Sequence, residues 1–238
     1  MSGNPTVIAA SVLVAMAGMM ALTVMVRHKR GRAATLGVIL RRCRWPTVLG
    51  AAGLAVAMHA GMIALAQHSV AQILPSVIMG AGIFYCVAEY TLGNRRGLRS
   101  LLALIPGGIG TVLIGIAPLA VIAGAGAAAH MLFIRRGDPA EALAAQSVIA
   151  ALISTPAFFG SDPLRGQAQL LALTAAGCFS FGIWGLHRAA YRGVLLLAGL
   201  TGLAGIWGAY SEPQALMAVI LSVAGVAGLQ RMIGSSGS

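Results

Sequence analysis

The sequence predicts an all-α integral membrane protein, a polytopic bundle of about nine transmembrane helices. Hydrophobic residues make up 58% of the 238 residues and charged residues only 9%, and the mean hydropathy is +0.89. A soluble domain carries roughly 25% charged residues to cover its surface. Apolar stretches near the ~20 residues that cross a bilayer recur along this chain. Lipid is therefore expected to be the solvent for most of the surface.

A basic stretch at residues 27–45 orients the whole chain. It holds seven of the sixteen Lys and Arg residues, and such a cluster stays on the cytoplasmic side of a bilayer. Its apolar middle, residues 33–40, predicts an interfacial helix with basic residues at both ends. The residues expected to dock anionic lipid or a cytoplasmic partner are Arg27, Lys29, Arg30, Arg32, Arg41, Arg42 and Arg44.

Turn, cap and basic residues divide the rest of the chain into spans. Asp138, Pro139 and Glu141 form a variant capping box that starts the sixth span. The apolar run 100–134 is too long for one crossing, and its two ends are both basic, so it is divided at Pro118. The predicted spans are 6–26, 46–67, 70–92, 100–116, 118–134, 139–159, 167–186, 193–210 and 214–229.

The distribution of charge tests this topology. With the first basic stretch inside, fifteen of the sixteen basic residues lie in inner loops and only Arg165 lies outside. This asymmetry predicts an outer N-terminus and a cytoplasmic C-terminus. Re-entrant packing of residues 100–134 would reduce the count to seven or eight spans. Residues 1–233 then form one transmembrane domain, and residues 234–238 are a flexible tail.

A few ionisable residues within the spans are candidates for ion or proton binding. Glu89 lies inside the third span, where a carboxylate is costly and must face protein or water. It either binds a proton or cation beside Tyr85 or pairs with one of the arginines that follow the span. His59 and His130 complete the candidate set. A polar pathway through the spans can be assembled only from these residues and from Gln146, Ser147 and Thr174.

Cofactor and metal chemistry has little support in the sequence. Haem b between two transmembrane helices needs two histidines at matched depth. His59 is placed in the outer half of its span and His130 near the inner end, so each is expected to be an interhelical hydrogen-bonding residue instead. No zinc or di-iron ligand spacing and no hydrolase or nucleotide-binding motif occurs. No cofactor, no metal and no catalytic residue is predicted.

Glycine is the most informative small residue, with 32 copies in the chain. Small residues on one helix face let two backbones approach closely, which favours helix association in lipid. The alternative is a broken helix at residues 105–108, where Pro106, Gly107 and Gly108 would expose backbone groups as in transporters.

These features favour an integral subunit of a larger membrane complex (respiratory, ion-translocating, secretion or transporter assembly) in a bacterial inner membrane. Its expected partners are the lipid bilayer, anionic headgroups and other membrane subunits. The alternatives are a self-contained small secondary transporter or channel with Glu89 as coupling carboxylate, and a lipid-modifying enzyme that lacks its catalytic residues. Nucleic acid is not an expected partner, because the basic residues are spread between apolar spans instead of along one face.

Overall fold

The computed structural model describes residues 4–27, 32–91, 108–109, 111–112, 115–134, 139–159 and 161. Over these residues the protein is all-α, with six helices and no strand. The helices are α1 Pro5–Arg27, α2 Arg32–Arg42, α3 Trp45–Gln67, α4 Val70–Thr91, α5 Pro118–Ile134 and α6 Pro139–Ile153, and a 3-10 turn, Thr155–Phe158, follows α6.

Five of the helices begin and end within two residues of the predicted segments. Proline explains several of these starts, because its missing N–H costs nothing in the first helical turn. Pro5, Pro118 and Pro139 each open a helix, and Pro46 is the second residue of α3. The predicted spans 167–186, 193–210 and 214–229, and most of span 100–116, lie outside the described residues.

The sixth helix is shorter than the sequence predicts. It ends at Ile153 instead of residue 159 and gives way to the 3-10 turn. Pro156 accounts for the difference, because its ring clashes with the carbonyl group four residues earlier and it has no N–H to donate. The chain tightens instead, and the Phe159 N–H donates to the Pro156 carbonyl oxygen at 3.1 Å.

Two helices, Pro5–Val26 and Trp45–Gln67, are long and apolar enough to cross a membrane. Shorter apolar helical stretches are Pro75–Ala88 within α4, Pro118–Ile134, which is α5, and Ala140–Ile153 within α6. Core helices of soluble proteins and signal sequences share the length and composition of the two long helices. In the part of the chain that the structure describes, these helices support a membrane protein but fall short of nine spans.

Contacts divide the chain into two compact units. Unit 1 comprises residues 1–62 and 129–188, and unit 2 comprises residues 63–128 and 189–238. In unit 1, α1 packs along α6. Leu13 and Met16 of α1, Leu54 of α3 and Ala150 of α6 share one apolar cluster in which all four are buried. A second cluster joins α1, α2 and α6 through residues that include Met20, Ile39 and Leu143.

In unit 2, α4 packs against α5 through two glycines in a reciprocal arrangement. A Cβ atom on Gly80 would overlap the carbonyl oxygen of Val121, and one on Gly124 would overlap that of Val77. The two backbones therefore touch, as small residues allow between membrane helices. Ser76 adds a polar link, because its Oγ accepts the Ala117 N–H at 3.1 Å and donates to the Gln72 carbonyl at 2.8 Å.

Candidate functional site

Three polar side chains of unit 1 are buried, and we call them the buried polar cluster: His130 of α5, and the adjacent residues Gln146 and Ser147 of α6. Their exposed fractions are 1%, 0% and 0%. The His130 ring lies beside the Gln146 side chain and the Gly50 backbone. Even so, no protein atom among the described residues meets hydrogen-bond geometry with the five side-chain nitrogen and oxygen atoms of the cluster.

Gly50 of α3 makes room for this cluster. A Cβ atom at this position would overlap the Gln146 amide group. The neighbour of Gly50 is thus a polar side chain, whereas the neighbours of Gly80 and Gly124 are backbone carbonyl groups. Glycine at position 50 lets the amide lie directly against α3, and every larger residue would displace it.

His59 of α3 has a hydrogen-bond partner. Its Nε2 lies 2.9 Å from the Oγ of Ser154, which directly follows α6. The hydrogen bond joins α3 to the end of α6 and agrees with the interhelical role expected for a histidine. His130 was expected to play the same role, and the structure differs there, because the His130 ring nitrogens have no such partner among the described residues.

An ion pair links α2 to α6. The Arg42 guanidinium donates to the Glu141 carboxylate through Nη2 at 3.1 Å and Nε at 3.3 Å. Glu141 is the third residue of α6, where a negative charge also complements the helix dipole. Two of the predicted docking residues, Arg41 and Arg44, remain exposed, and Trp45 is 76% exposed beside them.

The remaining candidates belong to other segments of the chain. Glu89 and Tyr85 belong to α4; Tyr85 is half-buried, and the Glu89 side chain lies outside what the structure describes. Pro106 and Gly107 also lie outside it, while Gly108 is helical, with the Met79 side chain 3.4 Å from a Cβ placed there. Of the other docking residues, Arg27 ends α1 and Arg32 begins α2, and Lys29 and Arg30 fall between the described segments.

Three contacts could not be predicted from the sequence: those of Gly50 with Gln146, of Ser154 with His59, and of Arg42 with Glu141. The adjacent Gln146 and Ser147 in an apolar stretch were a visible signal for a polar site. Nothing in the sequence pointed to Gly50 among the 32 glycines, because its importance depends on what the fold places against it. Glu141 was recognised as a cap, but its ion pair spans 99 residues of chain.

Metal ligation finds no support in the described ranges, which contain no group of three or more His, Cys, Asp or Glu side chains able to hold an ion. The two histidines considered for haem have different neighbours, Ser154 for His59 and Gln146 for His130. Comparisons of the chain with protein families, with characterised proteins and with solved structures find no match.

Proposed function

We propose that this chain is a multi-pass protein of a bacterial inner membrane, with about nine spans, and that it serves as a subunit of a larger membrane assembly. The main observation in favour is how the described polar side chains are used. Arg42 pairs with Glu141, and His59 with Ser154, each across two segments of unit 1. Polar groups that pair with each other in this way hold helices together. Few described polar side chains are then left that could carry out a reaction.

The attachment surface in this proposal is the exposed side of α2 together with the residues that follow α2. Arg42 holds α2 to α6, and the neighbouring Arg41 and Arg44 stay exposed. Exposed apolar residues accompany them: Leu36 and Leu40 on α2 and Trp45 at the start of α3. Arginine and tryptophan are enriched at the energetic centres of protein interfaces, so the favoured occupant is an acidic surface of another subunit at the inner membrane face.

Purification in a mild detergent tests the assembly. The full chain, tagged and isolated from its native membrane, is expected to carry other membrane proteins at fixed stoichiometry. The double variant Arg41→Gln with Arg44→Gln is expected to lose them while its own yield is unchanged. The matched control is Arg188→Gln with Arg192→Gln, which removes two charges from another predicted inner loop. A native chain that purifies alone, as a monomer or homo-oligomer, would contradict the proposal.

A second candidate is a self-contained small secondary transporter or channel, and the buried polar cluster favours it. Three uncharged polar side chains without protein partners among the described residues resemble a binding site more than a packing contact. In this alternative Glu89 is the coupling carboxylate and residues 105–108 form the broken helix. Proteoliposomes containing only this chain would then move protons or ions, and Glu89→Gln would abolish the flux without reducing the folded yield. An unchanged flux in that variant excludes Glu89 from the pathway.

A further inference from the structure

The buried polar cluster is costly as it stands. Each buried polar group without a hydrogen bond costs on the order of 1–3 kcal/mol, and native structures leave few such groups. Here five buried side-chain atoms on α5 and α6 have no hydrogen-bond partner among the described residues: Nδ1 and Nε2 of His130, Nε2 and Oε1 of Gln146 and Oγ of Ser147. His59, a half-buried histidine of the same unit, has a direct side-chain partner in Ser154.

The charges around the cluster restrict its ligand. The elements of unit 1 that pack near it bring few ionisable groups: α3 has only His59, which faces Ser154, and α5 has only His130. Helix α1 has no charged residue before Arg27. Helix α2 also packs on α6; it begins at Arg32 and ends with Arg41, which is exposed, and Arg42, which pairs with Glu141, the one acidic residue of α6. A metal cation would find no carboxylate here among the described residues, and an anion would find no fixed positive charge.

The hydrogen-bonding groups of the cluster indicate which kind of ligand can bind there. A neutral histidine, a primary amide and a hydroxyl group each both donate and accept. The matching ligand is small and neutral and does both, and water has these properties. Buried water typically makes about three hydrogen bonds to groups that otherwise lack partners, so five atoms suffice for one or two molecules.

We propose that His130, Gln146 and Ser147 form an internal water site, at which the His130 ring exchanges its proton with bound water. The exchange needs no other reactant: one ring N–H hydrogen passes to water as a water hydrogen returns to the ring, and no net charge moves. Gly50 makes room for the Gln146 amide against α3. The water site goes beyond the proposed function, because it holds whether or not the chain joins an assembly.

Hydrogen exchange at the ring tests the water site directly. The full chain is labelled with ¹⁵N in its backbone amides and histidine rings and placed in lipid nanodiscs. After transfer to D₂O, its N–H signals are followed by NMR. His130→Asn identifies the His130 signal among the five histidines of the chain. We expect the His130 ring proton to disappear within minutes while the backbone amides of residues 146 and 147 persist.

A double variant and a matched control test whether exchange of the His130 ring proton depends on the cluster. Gln146→Leu with Ser147→Ala removes the proposed water ligands, and the ring proton should then exchange about tenfold more slowly or slower still. Ser154→Ala is the matched control, because it changes only the partner of His59 and should leave exchange at His130 unaltered. If the double variant fails to fold, the exchange rate of the His130 ring proton in the native protein still tests the proposal.

Two results would overturn the proposal. One is a native His130 ring proton that persists in D₂O for hours, as in a dry core. The other is loss of the ring proton together with the backbone amides of residues 146 and 147, because local opening of α6 would then explain the exchange without bound water.

Discussion

The α4–α5 contact of unit 2 and the surroundings of Gly50 in unit 1 both depend on glycine, but for different reasons. In unit 2, Gly80 and Gly124 bring two backbones together at Val121 and Val77. In unit 1, Gly50 accommodates the side-chain amide of Gln146. A backbone carbonyl cannot move without its helix, whereas an amide at the end of a side chain can rotate away. The first contact therefore fixes helix packing, and the second keeps a polar group in place.

The largest expected effect follows from adding a methyl group where backbones touch. Gly80→Ala or Gly124→Ala should lower the free energy of unfolding by about 3 kcal/mol, because α4 and α5 must separate to accommodate the Cβ atom. Chemical or thermal unfolding in detergent micelles measures the change. The control is Gly18→Ala, whose Cβ atom meets nothing within 4 Å; it should leave stability equal or raise it by up to about 1 kcal/mol. Equal effects at positions 18 and 80 would refute the backbone contact.

Gly50→Ala should cost less, about 1–2 kcal/mol, because the Gln146 side chain can yield. Combining it with Gln146→Ala should remove most of the added cost, since the overlapping amide is gone. The double-mutant cycle should then give a coupling energy of about 1 kcal/mol between the two positions. Simple additivity of the two single variants would show that Gly50 does not constrain the amide.

Breaking the Arg42–Glu141 ion pair should have a smaller effect. Arg42 keeps 35% of its side chain exposed, so water and salt screen the pair, and exposed pairs contribute up to about 1 kcal/mol. Glu141→Gln should lower the unfolding free energy by that amount at low salt and by less at high salt. A cycle with Arg42→Gln isolates the pairwise energy. A coupling energy that does not depend on ionic strength would argue against an electrostatic link.

The smallest effect is expected at His59. Ser154→Ala removes the partner of His59 at 2.9 Å, and side-chain hydrogen bonds between membrane helices average about 0.6 kcal/mol. Unfolding measurements on Ser154→Ala, His59→Ala and the double variant give the coupling energy between the two side chains. A value well above that average would show that the bond between His59 and Ser154 organises the end of α6 and is more than a local contact.

The helices themselves could be predicted closely from local features. Proline at helix starts, glycine and polar turns between apolar runs, and the basic stretch after the first span set bounds that α1, α3, α4 and α5 match to within one residue. The exception is the end of α6, where Pro156 forces a 3-10 turn. Pro156 is visible in the sequence, but Pro75 is tolerated inside α4, so proline alone does not determine where a helix ends.

The pairing of side chains could not be predicted in the same way. His59 and His130 are alike in the sequence, each a single histidine in an apolar stretch. They differ because Ser154, directly after α6, places a hydroxyl group within hydrogen-bond distance of His59, whereas the Gln146 amide of α6 lies beside His130 without suitable hydrogen-bond geometry. Which residues of two segments meet depends on helix rotation and separation, and these follow from the packing of many apolar side chains at once.

Local features predict a composition suited to lipid, the bounds of most of the described helices and the concentration of basic charge at residues 27–45, because each depends on residues close together in the chain. The tertiary structure decided which polar groups are satisfied and which are not. Arg42 reaches Glu141 across 99 residues and His59 reaches Ser154 across 95, while the buried side chains of His130, Gln146 and Ser147 have no hydrogen-bond partner among the described residues. Only packing brings distant residues into contact, and so only the fold shows that Gly50 lies against the Gln146 amide and that this amide lies beside His130.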